Sequence, residues 1–459
     1  MIEKVFKAYD IRAAYPNPLN EEAAWKVGHA TAQFLRRSRQ INVEPRVKRE
    51  DTLVIGRDMR PHSPSLSQAL SDGIRSVGYN VIDVGMIDTP MLYFAINALG
   101  CVGGVQTTAS HHSIEYNGFK ISGPRARPIG PTSGLKDIAR IAGTLRQGKT
   151  GLCGTYEERD LWPRYAKHVL KFLDLKRRMK IVVDASNGMA GKMIPAIFDR
   201  VENLEIVPVL FDLAGEFTHE PNPLIQANLQ WASDAVVEQG ADFGCCFDGD
   251  ADRVVFIDET GKPIGSDLMT ALLARDALRN SNERAEGIVY DLRCSHVVAE
   301  EIIAAGGTHH RERSGHAFIK KAMIDTNSLF GGELSGHFYF RDNFHADSGA
   351  IALARVASIL SAQTEPLSAL IQPLARYSQS GEISFKAEDR DAKFRQLAEH
   401  YKTGRIDYLD GVTIDNGEWW FNLRRANTEP LLRLNVEADT AALLAEKLAE
   451  LKKLLGEPV

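Results

Sequence analysis

The chain has 459 residues, of which 44% are hydrophobic, and a formal net charge of −5 with both signs well mixed. That is more apolar material than one core organises, so roughly three or four domains are expected. No basic block is present to release counterions from phosphates, and no apolar run approaches the ~18 residues of a membrane span, which argues against nucleic-acid and membrane partners and for small-molecule chemistry. The opening MIEKVFKAYD carries acids and lacks a signal-peptide core, so a cytoplasmic protein is expected. The cysteines at 101, 153, 245, 246 and 294 have no CxxC spacing and suit reduced thiols.

In chain order, DTLVIGRDMR (51–60) reads as a strand entering a polar turn, SPSLSQALSDGIRSVG (63–78) as a helix and YNVIDVG (79–85) as a strand. The unit returns as KIVVDASNGMAGKMIPAIF with EIVPVLF, and again as GIVYDLRCSHVVAEEIIAAGG. Strand, polar turn and helix in three copies predict α/β layers with sites at the carboxyl ends of strands. From about residue 370 a helix near AKFRQLAEHY, strands near EWWFNLRR and LLRLNVEA, and the helix TAALLAEKLAELKKLL point to a smaller α+β domain. The expected divisions are 1–150, 151–257, 258–370 and 371–459.

GTLRQGKT (143–150) satisfies the P-loop pattern GxxxxGK[ST], but a P-loop needs a strand before it and a helix after it. Here LKDIARIAGTLRQ reads as helix and GLCGTY as a connector, so a nucleotide site is not expected.

Four stretches carry chemistry. TTASHHSIEYNG (107–118) sets Ser110 beside His111 and His112, which leaves open a Ser/His nucleophile, a phosphate carrier or a loop serine. Neighbouring side chains on an extended strand point oppositely, so adjacency does not favour a Ser110–His111 hydrogen bond. In CCFDGDADRVVFID, Asp248, Asp250 and Asp252 alternate and supply hard oxygen ligands suited to Mg²⁺. Arg253 stands where an EF-hand loop needs glycine and both flanks read as strands, which opposes that reading. FGGELSGHFYF offers Glu333, Ser335 and His337 in a glycine-rich turn that suits sugar hydroxyls or an ordinary strand turn, and RSGHAFIK places His316 at a helix start. NLRRANTEPLLR presents Arg424, Asn427 and Thr428 in a turn between strands, as an oxyanion cradle or a surface hairpin.

With FKAYDIR (6–12), these motifs stand in one order over essentially the whole chain, and the sequence resembles the α-D-phosphohexomutase superfamily, in its bacterial phosphomannomutase/phosphoglucomutase branch. The resemblance implies four domains around a central cleft, three similar mixed-sheet α/β domains plus a smaller C-terminal α+β domain. It implies a phosphoserine at Ser110 and one Mg²⁺ on Asp248, Asp250 and Asp252, with a phosphoserine oxygen as a further ligand. Glu333 and Ser335 would grip the sugar with His337 beside them, and Arg424, Asn427 and Thr428 would hold the non-reacting phosphate. Arg253 would position the phosphoryl group, Arg293 fills a position where the family often has a basic residue, and Tyr9 and Arg12 would line the cleft. Lys120, His316 and His337 are candidates for proton transfer, and His111 adjoins the catalytic serine.

The implied reaction is interconversion of mannose 6-phosphate and mannose 1-phosphate through a bound hexose 1,6-bisphosphate, feeding nucleotide-sugar and polysaccharide synthesis. Glucose 1,6-bisphosphate or mannose 1,6-bisphosphate would serve as activator, hexose phosphates would be the small-molecule partners, and monomer and dimer both stay open. A glucose-specific or dual-specificity mutase, a serine-dependent sugar phosphatase and a noncatalytic sugar-phosphate-binding paralogue are the competing readings. The sequence departs from the family where His111-His112-Ser113 replaces His-Asn-Pro, and where Ala13 and Ala426 replace a glycine and a serine. Loss of that proline is expected to free the serine loop.

Overall fold

The computed structural model describes residues 2–7, 10–40, 47–146, 153–281, 285–387, 389–426 and 431–459. The first sheet is built from β1 (Ile11–Ala14), β2 (Arg49–Arg57), β3 (Asn80–Met86), β4 (Cys101–Thr107), β5 (Tyr116–Ser122) and β6 (Tyr156–Glu158), in the order β1-β5-β4-β2-β3-β6. β2 runs parallel to β3 and β4, whereas β5 is antiparallel to β1 and β4. Helices α1 (Glu21–Gln40), α2 (Ser63–Arg75), α3 (Thr89–Leu99) and α4 (Leu135–Thr144) accompany it. Leu53, Ile55, Val105 and Phe119 of the strands share a core with Leu70 of α2 and Ile138 of α4. α1 and α2 approach backbone to backbone, since a Cβ on Gly28 would come 2.1 Å from the Leu70 carbonyl oxygen and one on Gly73 2.0 Å from that of Trp25. Gly143 lies within α4, as the rejection of a P-loop requires; residues 147–150 of that pattern lie outside the described residues.

The second sheet has β7 (Met179–Asp184), β8 (Leu204–Val209), β9 (Phe243–Phe247) and β10 (Val254–Ile257) in the order β10-β9-β7-β8. β7 is parallel to β8 and β9, and β9 and β10 form an antiparallel pair that carries DGDADR as its turn. α5 (Trp162–Val169), α6 (Ala190–Phe198) and α7 (Gln230–Gln239) belong to this stretch.

After α8 (Ser266–Asn280), β11 (Gly287–Asp291) pairs in parallel with β12 (Thr308–Glu312) and β13 (Phe330–Gly332). α9 (His296–Ala304) and α10 (His316–Thr326) connect these strands, and β14 (Phe338–Phe340) pairs antiparallel with β15 (Ala346–Asp347) ahead of α11 (Gly349–Ser361). Beyond α12 (Leu367–Ile371), β16 (Ser378–Lys386), β17 (Arg405–Asp407), β18 (Val412–Asp415), β19 (Trp419–Arg425) and β20 (Leu431–Ala438) form an antiparallel sheet in the order β16-β20-β19-β18-β17. Its strands bury Phe421, Leu423 and Leu434 with Leu397 of α13 (Arg390–His400) and Leu451 of α14 (Ala441–Leu455).

Three α/β layers followed by a smaller α+β domain is the architecture expected from the periodicities. Contacts gather the chain into two compact units, Met1–Ser266 with Ser335–Ser368, and Asp267–Leu334 with Ala369–Val459. Among the described residues no helix is long and apolar enough to cross a membrane.

Candidate active site

In the first unit the site begins where β4 ends. The chain leaves the extended conformation after Thr107, and Ser110 takes a left-handed backbone, with φ +53. Its N–H donates to Thr108 Oγ1 at 3.0 Å, and its buried hydroxyl donates to Asp248 Oδ2 at 2.8 Å. His111 Nδ1 lies 3.2 Å from the same Oγ. The sequence reading disfavoured that contact by strand alternation, which does not apply because Ser110 is in a turn. Gly249 lets the acidic turn approach, as a Cβ there would meet the Ser110 carbonyl oxygen at 2.4 Å.

Asp248, Asp250 and Asp252 are buried, with ligand oxygens all within 4.8 Å of one another. Three carboxylates in one dry turn repel unless cations intervene. Lys120, on β5, supplies one: its Nζ donates to Asp250 Oδ2 at 2.7 Å and also to Asp252 Oδ2. Thr89 Oγ1 donates to Asp250 Oδ2 at 2.6 Å, leaving Asp250 Oδ1 buried without a hydrogen-bond partner. Burial together with Asp252 and Asp250 pushes Asp248 up to about 8. At Asp252 the rise from burial is outweighed by Lys120 and His337, so its carboxyl falls below the usual range. Burial pulls the Lys120 ammonium down, but Asp250, Asp252 and Asp248 more than compensate and its pKa is raised. An all-oxygen donor set with an orphaned buried carboxylate oxygen fits a hard divalent cation.

His337 joins this cluster, its Nε2 lying 3.3 Å from Asp252 Oδ1 and 3.4 Å from Arg253 Nε. Asp347 completes an Asp252–His337–Asp347 group whose ligand atoms also lie within 4.8 Å. Ser335 Oγ is 2.9 Å from His337 Nδ1, and the Arg253 N–H donates to Asp248 Oδ1 at 3.2 Å. Arg12 donates to Asp10, and its Nη1 is 2.8 Å from His112 Nδ1. Burial and the Arg12 charge hold His112 down to about 4, so this imidazole is neutral and accepts the arginine N–H. His111 is likewise shifted well below its ordinary value by burial and by Arg253 and Arg12.

The serine loop is held from beneath by Arg60, which is fully buried. Nη1 donates to the carbonyls of Ser113 and Tyr116 at 2.6 and 3.0 Å, and Nη2 to those of Ser110 and His112 at 3.0 and 2.6 Å. Nε donates to Asp58 Oδ2 at 3.1 Å, so every N–H of the guanidinium is used. These bonds anchor the loop at the carbonyls of Ser110, His112, Ser113 and Tyr116, the stretch in which Ser113 stands where the family has proline. Arg60→Met strands those carbonyls and Asp58, and should cost about 3–5 kcal/mol. An unchanged denaturation midpoint of the full chain would show that the clamp carries no stability.

In the second unit, Arg293 makes a close pair with Asp291, its Nε 3.0 Å from both carboxylate oxygens. Glu333 is buried and Oε2 accepts the Gly315 N–H at 2.9 Å, just before His316 opens α10. Arg424 lies in β19 rather than in the turn expected for it, because strand pairing with β20 extends through Arg425. Its guanidinium and that of Arg433 both reach Glu382, at 2.5 and 2.6 Å, with Arg293 Nη1 3.5 Å from the same carboxylate. Tyr9, Asn427 and Thr428 lie outside the described residues.

Four family models match in chain order: the phosphoglucomutase/phosphomannomutase alpha/beta/alpha domains I, II and III over residues 3–148, 163–261 and 265–377, and the C-terminal domain over 382–454. The chain belongs to the phosphoglucomutase/phosphomannomutase family. It is therefore a phosphohexomutase, an enzyme of phosphate transfer. It is 38% identical to the phosphohexose mutases of Xanthomonas campestris pv. campestris over 98% of both chains, and 36% identical to the phosphomannomutase of Escherichia coli K12 over 98% of this chain and 99% of that one. The crystal structure of a phosphoglucomutase/phosphomannomutase family protein from Burkholderia thailandensis superposes with a TM-score of 0.88 at 29% identity, covering 98% of this chain and 97% of that one.

Within this mutase the structure brings Ser110, His111, Lys120, the three aspartates, Arg253 and His337 together in one unit, and Arg293, Arg424 and Glu382 in the other. Sequence reading missed Arg60, Thr89, Asp347, Glu382 and Arg433. Asp58 and Arg60, closing the strand-like DTLVIGRDMR, carried a visible signal as charged residues at a strand end, and Arg433 closes the quoted NLRRANTEPLLR. Thr89 and Glu382 had none, since their partners lie 161 and 42 residues away.

Proposed function

We propose that the enzyme interconverts mannose 6-phosphate and mannose 1-phosphate, with Ser110 as the phosphate carrier. The observation carrying this reading is the Ser110 hydroxyl set 2.8 Å from Asp248 within a buried three-aspartate cluster. Phosphoserine gives its phosphoryl group to the free hydroxyl of a hexose monophosphate: the P–O bond to Ser110 breaks, the P–O bond to the sugar forms, and the hydroxyl proton ends on Ser110 Oγ. The resulting hexose 1,6-bisphosphate reorients and returns its other phosphate to Ser110.

Asp248, Asp250 and Asp252 would hold Mg²⁺, whose contribution when bound is Lewis-acid charge neutralisation beside the serine oxygen. Asp248 accepts the serine O–H, while His111, kept neutral by its surroundings, faces the same oxygen with a nitrogen able to take a proton. Lys120 remains an ammonium and steadies the anionic turn, which assigns it charge compensation rather than base catalysis in this state. Arg253 and Arg12 add cations around the transferring group, and Ser335 with Glu333 would grip sugar hydroxyls. Arg293 and Arg424 would hold the non-reacting phosphate.

The name of the Xanthomonas relative, phosphohexose mutases, supports a second reading in which glucose phosphates are also accepted. Phosphorus NMR of the enzyme with Mg²⁺, a trace of glucose 1,6-bisphosphate, and mannose 1-phosphate or glucose 1-phosphate separates them. A 6-phosphate signal growing faster from mannose supports the first reading and equal rates the second; inorganic phosphate released as fast as substrate disappears would replace both with a phosphatase.

A further inference from the structure

The arginine seat of the second unit already holds an anion of this chain. Glu382 Oε2 accepts from Arg424 Nη2 at 2.5 Å and lies 3.5 Å from Arg293 Nη1, while Oε1 accepts from Arg433 Nη1 at 2.6 Å. Arg424 and Arg433 stand directly opposite each other on β19 and β20, a like-charge pair that repels unless an anion lies between. Glu382 reaches that place through an irregularity: the register of β16 against β20 shifts between Gln379 and Glu382, with Gly381 at φ +65. A bulge of this kind re-aims the side chain that follows it. The carboxylate does not saturate the seat, because Nε of both Arg424 and Arg433 stays buried without a hydrogen-bond partner. A phosphate monoester, with three terminal oxygens, can use donors that two carboxylate oxygens leave idle.

We propose that Glu382 is the resident counter-anion of this seat and is exchanged for the phosphate of the sugar substrate. The proposal rests on the reading of Arg424 and Arg293 as holders of the non-reacting phosphate. Exchange makes binding the swap of one anion for another, so the arginines are never left bare and the seat does not grip phosphate at full strength. That suits a reaction whose bisphosphate intermediate must let go of the seat and return turned around, since Glu382 can cover the arginines meanwhile.

The test is the dissociation constant of mannose 1-phosphate, measured by calorimetry on the full-length Ser110→Ala chain so that no transfer intervenes. Glu382→Gln keeps the shape and removes the competing charge, and should tighten binding about tenfold, the scale of one charge-assisted hydrogen bond. Glu382→Asp, too short to span Arg424 and Arg433, should tighten it by a smaller factor and serves if the glutamine variant does not fold. Arg424→Met should weaken binding at least about tenfold in either background. If Arg424→Met changes nothing, the phosphate seat itself is misassigned and the exchange falls with it. If Arg424→Met weakens binding while both Glu382 variants leave it unchanged or weaker, the seat stands and the exchange is overturned.

Discussion

Ser110→Ala should lower turnover by on the order of 10⁴-fold or more, because it removes the oxygen proposed to carry the phosphoryl group. The fold should survive. Alanine keeps the Cβ, so the left-handed turn at φ +53 is no more strained than with serine, and the Arg60 bond to the carbonyl of residue 110 does not involve the side chain. What is lost locally is the bond from Oγ to Asp248, worth about 1 kcal/mol, and the contact of the same oxygen with His111. Phosphorus NMR of hexose 1-phosphate conversion measures the first effect, and intact mass after exposure to glucose 1,6-bisphosphate shows whether a phosphate is taken up. Wild-type chain that gains phosphate and variant chain that does not would agree with the carrier role; unchanged turnover in the variant would falsify it.

The second large effect is expected at Asp250. Its Oδ2 is committed to Lys120 and Thr89, whereas Oδ1 is buried and open, so this residue joins the charge balance of the turn to its capacity for a cation. Asp250→Asn replaces one carboxylate oxygen by an amide, lowers the negative charge facing Lys120 and should cut turnover at least about 100-fold, beyond the range typical of residues that only support a metal ligand. A readout independent of catalysis is available. Mg²⁺ that binds only the folded wild-type chain should raise its thermal midpoint with concentration, and the variant should respond at much higher concentration or not at all. Wild-type activity that survives chelation, or equal Mg²⁺ stabilisation of both proteins, would remove the metal role from this cluster.

Much of this protein was legible in one dimension because its signals are local. Three strand–turn–helix units and the smaller α+β tail follow from apolar periodicity. Three aspartates at alternate positions between two strands announced an acidic turn able to take a cation without any tertiary information, and β9 and β10 do pair on either side of it. His316 at the start of a helix was read from the same kind of local cue, whereas Lys120, which lies on β5, entered only through the family resemblance.

What the tertiary structure alone decided is which local pieces meet. Ser110 and Asp248 are 138 residues apart, and only the packing of one sheet's loop on another's turn, allowed by Gly249, makes them partners. Arg60 reaches four carbonyls at least 50 residues away and ties the serine loop to the turn that follows β2. Glu382 finds its arginines through a register shift at Gly381, and although glycine permits the bulge, only the pairing of β16 with β20 shows where the next side chain is aimed. Composition and periodicity therefore determined the elements and the chemistry each can carry. Long-range packing determined the pairings, because a buried charge takes as partner whatever the fold brings within hydrogen-bond reach, however distant in the chain.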